Sequence, residues 1–429
     1  MSPAPTARSV ALDAIGRVID DGAYSNRLLP SLLARSGLET RDRAFAMELA
    51  FGTLRRRLPL DVAIASASSR PIERMTTPAR NALRLGAYQL LDAGVAPHAA
   101  VSATVDLVPV RERGFVNAVL RRLATSPPTA PSGTDAAAIA GRTGLTPWAV
   151  DELRALVGTE AEQAAAALAT KAPLSLRIRG GEQGVAEAMA AFRDAALDPV
   201  AGTVDRDCIV LRGGEPRRLP GFVEGRWTVQ DQASAFVVRV LDPQRGERIY
   251  DACAAPGGKA LHVAELAGPE GRVLAADRSE NRVGLIAAAG DRLALHPWLV
   301  VHDATMPAAL GPFDRVLVDA PCSGVGSARR RPELLWRVPR DRLSGLAALQ
   351  LAIVGAAVDA VRPGGRLVYA VCTFTRAETD AVCDALLRRR PDLEPIETDG
   401  PDGRAARHRL WPHRHGCDAM FVAAFRRAA

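Results

Sequence analysis

The chain has almost no lysine. Of its 55 Lys and Arg residues only Lys171 and Lys259 are lysine, and Lys259 stands inside a glycine turn. Lys is a compact ammonium on a flexible stem and Arg a wide planar fork, so position 259 reads as a place that needs the smaller cation. Aromatic residues are scarce, at 4%, while 48% of the 429 residues are hydrophobic, which fits an alanine-rich globular chain. The six cysteines, at 208, 253, 322, 372, 383 and 417, form no Cys-x-x-Cys pair; that argues against a disulfide framework and against a zinc site, and no metal is expected. The opening, Met1-Ser-Pro-Ala-Pro-Thr6, lacks an apolar core of signal length, and no run is read as long enough to cross a membrane. A cytoplasmic protein without a membrane partner is expected.

The length allows two or three domains. The net charge of +7 is uneven: residues 1–126 hold 17 Lys and Arg against 11 Asp and Glu, so this third carries +6. Such a front end suits a polyanionic partner, although an ordinary solvated basic surface has the same composition.

Residues 7–124 read as helical. Val10, Ala14, Ile15, Val18 and Ile19 recur at helical spacing, as do Phe45, Leu49, Gly52 and Leu54, then Leu83, Ala87, Leu90 and Leu91, then Phe115, Val116, Val119 and Leu120. Arginines cluster at the helix ends, among them Arg55 and Arg56, where they could hold phosphates or simply complement the helix dipole. Ser126-Pro-Pro-Thr-Ala-Pro-Ser-Gly-Thr134 is a linker by composition. Residues 135–230 read as helix followed by a small α+β module, with strands near 173–178, 207–211 and 227–229. From 246 onward strands and helices alternate, with strands at 248–252, 272–277, 298–301, 315–319 and 366–371; this predicts an α/β, Rossmann-like, doubly wound and mostly parallel sheet. Pro363-Gly-Gly365 reads as the turn into the fifth strand, and the tail as a last strand at or near an edge.

Chemistry gathers at the strand ends. Asp251-Ala-Cys-Ala-Ala-Pro-Gly-Gly-Lys259 lies between a strand and a helix, the arrangement of a nucleotide-type cofactor loop. Gly257 and Gly258 let backbone approach a ligand, although a bare Gly-Gly is as well a tight connection with no ligand. Cys253, Ala254, Ala255, Pro256, Gly257, Gly258 and Lys259 are therefore expected around a cofactor. Asp277 ends the next strand and is expected on ribose hydroxyls, with Arg282 nearby. Asp319 ends another strand and runs into Ala-Pro-Cys322; Cys372 closes the fifth. Functional groups at successive carboxyl ends are how an open α/β sheet builds a site.

Asp42 to Arg55 and Phe115 to Arg122 resemble the NusB family of small helical RNA-binding domains over about residues 1–125, which implies RNA contact. Asp251–Lys259, Asp319-Ala-Pro-Cys322 and Tyr369-Ala-Val-Cys372 together resemble the RNA 5-methylcytosine methyltransferases that use S-adenosylmethionine. The domains then read as 1–125 NusB-like, 126–134 linker, 135–230 RNA-recognition module and 231–429 methyltransferase. The resemblance implies that Cys372 attacks carbon 6 of a cytosine, that Cys322 assists release, that Asp319 faces N3, and that Lys259 lies near cofactor and ring. It also implies that Asp303 contacts the adenine side, although alone Asp303 reads equally as a turn residue. A free Cys is most often a small buried apolar residue, and that is the expectation for the thiols of 208, 253, 383 and 417.

Arg329, Arg330 and Arg331, beside Cys322 in sequence, are expected to hold phosphates of the target strand. The family has Thr where this chain has Val371 and Ala260, two hydroxyls fewer. The expected partner is small-subunit (16S) ribosomal RNA, free or partly assembled, and the expected state a monomer. Two alternatives stay open: a 5-methylcytosine methyltransferase for transfer RNA or another rRNA site, and a non-catalytic RNA-binding assembly factor that kept the fold. A DNA 5-methylcytosine enzyme would instead attack with the cysteine after the proline, Cys322.

Overall fold

A computed structural model describes residues 4–308 and 310–429 and divides the chain into two compact units, one of 1–170 with 328–338, the other of 171–327 with 339–429. The opening three residues of the expected 1–125 segment and of the Met1–Thr6 stretch lie outside the described residues.

In the first unit the helical spacing becomes helices at Ala7–Ile19, Ser25–Arg35, Thr40–Arg55, Arg57–Ala67, Thr77–Leu91, Pro97–Val105 and Val110–Thr125. Local signals set their starts. Thr6 and Ser9 form a reciprocal capping box, and Thr76 caps Ala79 N–H just before Pro78 in the first turn, the residue types that satisfy free N–H groups at a helix start. The apolar faces close on one core that includes Ile15, Leu49, Leu54, Leu83 and Leu120. Helices Ala136–Thr143, Pro147–Val157 and Ala161–Leu168 cluster with this unit, whereas the sequence grouped residues 135–170 with the strands that follow.

The stretch 328–338 also belongs to the first unit. Glu333, fully buried, accepts from Ser25 N–H at 3.1 Å and from Ser25 Oγ at 2.6 Å. Trp336 Nε1 donates to Leu54 O at 3.0 Å, and its ring lies 4.1 Å from the Arg57 guanidinium. Burial holds that guanidinium down at about 10. Composition showed here only a basic loop; its anchors, Glu333 and Trp336, act through partners some 280 to 310 residues away in sequence, which local pattern does not reveal.

The second unit opens with an antiparallel sheet made of β1 (Leu174–Ile178), β2 (Val200–Ala201), β3 (Cys208–Leu211) and β4 (Trp227–Val229), in the order β2-β3-β1-β4. Helix Gly181–Asp194 covers it, and Leu176, Phe192, Ile209 and Trp227 form its core. Asp231 then caps helix Gln232–Leu241 through Ala233 N–H.

The large sheet consists of β5 (Arg248–Asp251), β6 (Arg272–Asp277), β7 (Trp298–Val301), β8 (Phe313–Asp319), β9 (Val361–Val371), β10 (Leu393–Pro395), β13 (Arg407–Leu410) and β14 (Met420–Arg427); β11 (Thr398–Gly400) and β12 (Gly403–Ala405) pair apart. Its order is β10-β14-β9-β8-β5-β6-β7, with β13 also on β14. Strands β5 to β9 are parallel, while β14 runs antiparallel to β9. β14 is near an edge but inside it, since β10 and β13 pair with it. Alternation along each strand feeds two faces: Ile249, Val273, Leu317 and Val368 pack with helix Gln232–Leu241, and Tyr250, Leu274, Val316 and Tyr369 pack with Ile353, Val354 and Val358.

Two expectations change. Pro363-Gly-Gly365 lies inside β9 rather than before it: β8 advances from Phe313 to Arg315 while β9 advances from Val361 to Arg366, so the glycines form a wide bulge with Gly364 at φ +75°. And helix Arg342–Ala360 is long and apolar enough to cross a membrane by length and composition. The sequence reading missed this because isolated Gly345 and Gln350 break the run. Its Ile353, Val354, Ala357 and Val358 pack in the sheet's core, and the buried Gln350 is hydrogen-bonded there.

Candidate active site at the carboxyl ends of the strands

After β5 the chain adds β6 and β7 on one side and β8 and β9 on the other. Such a reversal leaves a crevice at the carboxyl ends of the central strands, and there Asp251, Asp277, Asp319 and Cys372 end or follow β5, β6, β8 and β9.

The loop after β5 is held by its own backbone. Ala252 N–H donates to Leu317 O at 2.9 Å, Ala254 N–H to Ala276 O at 2.7 Å and Gly257 N–H to Ala254 O at 2.8 Å. Gly257 sits at φ +110°, where a side chain would be strained and its Cβ would come to 3.2 Å from Ile286. Helix Gly258–Ala267 starts there with its first N–H groups free of intrahelical partners. Arg282 joins the loop to β6: it donates to Ala255 O at 2.7 Å and lies 3.3 Å from Asp277 Oδ2. Asp277 is buried, and its Oδ1 accepts Ser279 N–H at 3.2 Å. Asp303 is exposed and folds onto Thr305, accepting from its N–H at 3.0 Å and its Oγ1 at 2.8 Å; those bonds hold its carboxyl below the usual range. The turn reading of Asp303 thus describes its present contacts.

At the mouth of the loop, Lys259 Nζ donates to Asp319 Oδ2 at 2.7 Å. Burial works to depress the ammonium, but Asp319, Cys372 and Asp251 outweigh it and hold it above its ordinary value. Asp251, fully buried, is pushed up to about 7 by burial and then by the charge of Asp319, against the pull of Lys259. Its Oδ1 accepts Cys253 N–H at 3.4 Å, and its Oδ2 has no partner among the described residues. Burial also raises the Cys253 thiol.

Protonated Asp251 is favoured by folding, so the stability it contributes is complete below its ordinary 3.8 and is lost as pH rises through about 7. The loss amounts to roughly 4 kcal/mol. Asp251→Asn is expected to remove this share. Melting temperatures compared at pH 4.5 and 8 should fall less in the variant than in the parent; an equal fall contradicts the titration.

The sulfurs of Cys322 and Cys372 stand 3.3 Å apart. That hydrogen bond, then burial, then the charges of Cys372, Glu378 and Asp319 raise Cys322 well above an ordinary thiol. These influences favour the thiol form of Cys322, and the Lys259 ammonium interacts electrostatically with Cys372. The backbone couples the two loops as well: Gly326 N–H donates to Cys372 O at 3.1 Å, and a Cβ on Gly326 would stand 2.1 Å from Ala419 O.

Val371 and Ala260 are both fully buried, in two apolar clusters, so neither departure from the resembled pattern leaves an unpaired polar group. Cys208, Cys383 and Cys417 are buried. The arginines expected on RNA lie in the first unit. Arg329 is buried rather than exposed, and its carbonyl accepts from Arg55 Nη2 at 3.3 Å. Arg55 is itself largely desolvated, which lowers its guanidinium. Arg56 pairs with Asp92 at 3.0 Å and donates to Arg142 O at 2.7 Å. Arg330 and Arg331 are half-buried. The sequence reading singled out neither Glu378, Ser323 nor Gln350, which join the cysteine loops. The Thr-Phe-Thr-Arg-Ala-Glu run after Cys372 was the available signal.

Residues 238–426 match the family described as 16S rRNA methyltransferase RsmB/F, and residues 5–125 match the NusB family. The Mycobacterium tuberculosis protein Rv1407, named as a methyltransferase, is 38% identical over 99% of this chain and 97% of its own. The ribosomal RNA small subunit methyltransferase B of Vibrio cholerae is 33% identical over 97% of this chain and 96% of its own. The crystal structure of PH0851 aligns with 99% of this chain and 100% of that one at a TM-score of 0.81 and 21% identity, a likeness of fold.

Proposed function

This chain belongs to the RsmB/F family of 16S rRNA methyltransferases, and from that premise we propose that it methylates carbon 5 of a cytosine in small-subunit ribosomal RNA through a covalent adduct on Cys372. The observation that carries the chemistry is the pair of sulfurs at 3.3 Å beside the Lys259–Asp319 ion pair.

When bound, S-adenosylmethionine supplies the methyl group. The strand-end residues suit it: the backbone at Gly258 admits a close ligand, Asp251 Oδ2, without a partner among the described residues, is an acceptor for an ammonium, and Asp277 is an acceptor for hydroxyls. Arg282 braces Asp277 and the loop, and Asp303 is kept for the adenine side.

Carbon 5 of cytosine is a weak nucleophile. The Cys372 thiolate gives an electron pair to carbon 6, a C–S bond forms, and the ring electrons move to carbon 5. The addition needs a hydrogen bond or proton at N3; Asp319, given that place, acts there in its protonated form, its proton passed on by the Lys259 ammonium bonded to it. Lys259 also favours the thiolate form of Cys372. After methylation the carbon 5 proton is lost to a base, the C–S bond breaks and its electron pair returns to Cys372. The protonated Cys322, within hydrogen-bond reach, stabilises the departing sulfur. A cytosine in a loop or flipped from its stack is required. The charge of the first 126 residues suits a phosphate backbone, and of the expected arginines Arg330 and Arg331 keep more surface than Arg329. Such a substrate places the protein in the cytoplasm.

Bisulfite sequencing of ribosomal RNA from cells lacking this protein tests the reading. One cytosine of the small-subunit RNA is expected to lose its protection, and restoring the wild-type gene but not Cys372→Ala should bring it back. Unchanged small-subunit RNA with a changed transfer RNA would favour the alternative substrate.

A further inference from the structure

The two cysteine loops meet on one buried carboxylate. Glu378 has 0% of its surface exposed. Its Oε1 accepts from Ser323 N–H at 2.8 Å and from Gln350 Nε2 at 3.0 Å. Its Oε2 accepts from Ser323 Oγ at 2.6 Å, Thr375 Oγ1 at 2.8 Å and Thr373 Oγ1 at 3.3 Å. Ser323 directly follows Cys322, and Thr373 directly follows Cys372. Ser323 Oγ and Thr373 Oγ1 are also 2.9 Å apart. Gln350 extends the bracing to Pro321 O at 2.9 Å, and Tyr369 OH reaches Gln350 Oε1 at 3.1 Å and Glu378 O at 2.7 Å.

These donors are uncharged. A buried carboxylate is costly unless its lone pairs are filled, and an apolar side chain would fill the same space without that cost. What the carboxylate does that an apolar group cannot is gather donors from both loops onto two oxygens held in one fixed plane, and so hold the residues after each cysteine at a set separation. Its negative charge also opposes ionisation of Cys322.

We propose that Glu378 is a positioning residue for product release: by tying Ser323 and Thr373 to one carboxylate it keeps the Cys322 sulfur within hydrogen-bond reach of Cys372. This rests on the assignment of Cys372 as nucleophile and Cys322 as the releasing group. Loss of Glu378 then reproduces the loss of Cys322, because attack needs only Cys372, while expulsion needs the neighbouring thiol.

The test uses the full chain with ribosomal RNA and S-adenosylmethionine, and compares wild type, Cys322→Ala, Glu378→Gln, Ser323→Ala and the Cys322→Ala/Glu378→Gln double variant. Gln keeps the shape of Glu but turns one acceptor into a donor, against either Ser323 N–H or the hydroxyls. Turnover of Glu378→Gln should fall about tenfold or more with KM values changed less than about threefold. RNA–protein complex stable to denaturant should accumulate toward the Cys322→Ala level. The double variant should be no slower than Cys322→Ala alone, since both changes remove one function. Ser323→Ala, which loses only a hydroxyl, should accumulate a smaller amount of complex and decides the matter if Glu378→Gln does not fold. Wild-type turnover without complex in the folded Glu378→Gln variant, or in Ser323→Ala where that variant is lost, overturns the proposal, as does a double variant slowed by the product of the two effects. A Cys322→Ala protein that itself traps no RNA overturns the cysteine assignment, and the role of Glu378 in release with it.

Discussion

Cys322→Ala is expected to bind its RNA irreversibly on the time scale of an assay, leaving a protein–RNA band that survives denaturant, while multiple turnover falls by about a hundredfold or more. Cys322 rests as a thiol, raised by its bond to Cys372, by burial and by nearby negative charge. It can therefore donate a hydrogen bond to the Cys372 sulfur as that sulfur leaves carbon 6, at the 3.3 Å separation already present. Ala offers nothing to the departing sulfur, so addition and methylation proceed and elimination stalls. Gel electrophoresis in denaturant checks it. Cys372→Ala should show neither band nor product. The non-catalytic alternative predicts no band from any variant, and a DNA-type mechanism predicts that Cys322 is essential for attack.

The second large effect is expected at Lys259. An opposite charge nearby lowers a thiol by about one to three pKa units, so Lys259→Ala should leave about 10- to 1000-fold less thiolate at Cys372 at a pH below its titration. It also leaves the Asp319 carboxylate beside the buried Asp251 with no ammonium between them. Alkylation of Cys372 as a function of pH, in a Cys322→Ala background, reads the first effect directly. The profile should move to higher pH in the Lys259 variant, and methyl transfer at neutral pH should fall in step. An unmoved alkylation profile rules out Lys259 as the group that prepares the thiolate.

Much of this site was open to reading from residue order alone because its parts sit where strands stop. Period-two alternation marks a strand, and the residue that ends it at the carboxyl edge is Asp251, Asp277, Asp319 or, one position on, Cys372. Their convergence follows from parallel strands in one sheet and needs no knowledge of side-chain contacts. The parts that could not be read depend on contacts between distant segments. Glu378 appears in the sequence as one acid after a threonine-rich turn; only folding brings Ser323 and Gln350 to it. Arg329 belongs to a run of three arginines that composition places on a surface, yet the segment is drawn into a helical core through Glu333 and Trp336. The helices of 135–170 look the same in sequence whichever neighbour they pack against; they join the first unit. The bulge in β9 reads in sequence as a turn because Pro-Gly-Gly signals a break in pairing, and whether the strand resumes on the same partner is settled by β8.

The most direct measurement is the identity of the residue that carries RNA in the trapped Cys322→Ala complex. Nuclease and trypsin digestion followed by mass spectrometry should find a methylated cytidine nucleotide on the peptide that contains Cys372. A nucleotide on any other residue, or a complex with no covalent link, would contradict the two-sulfur account.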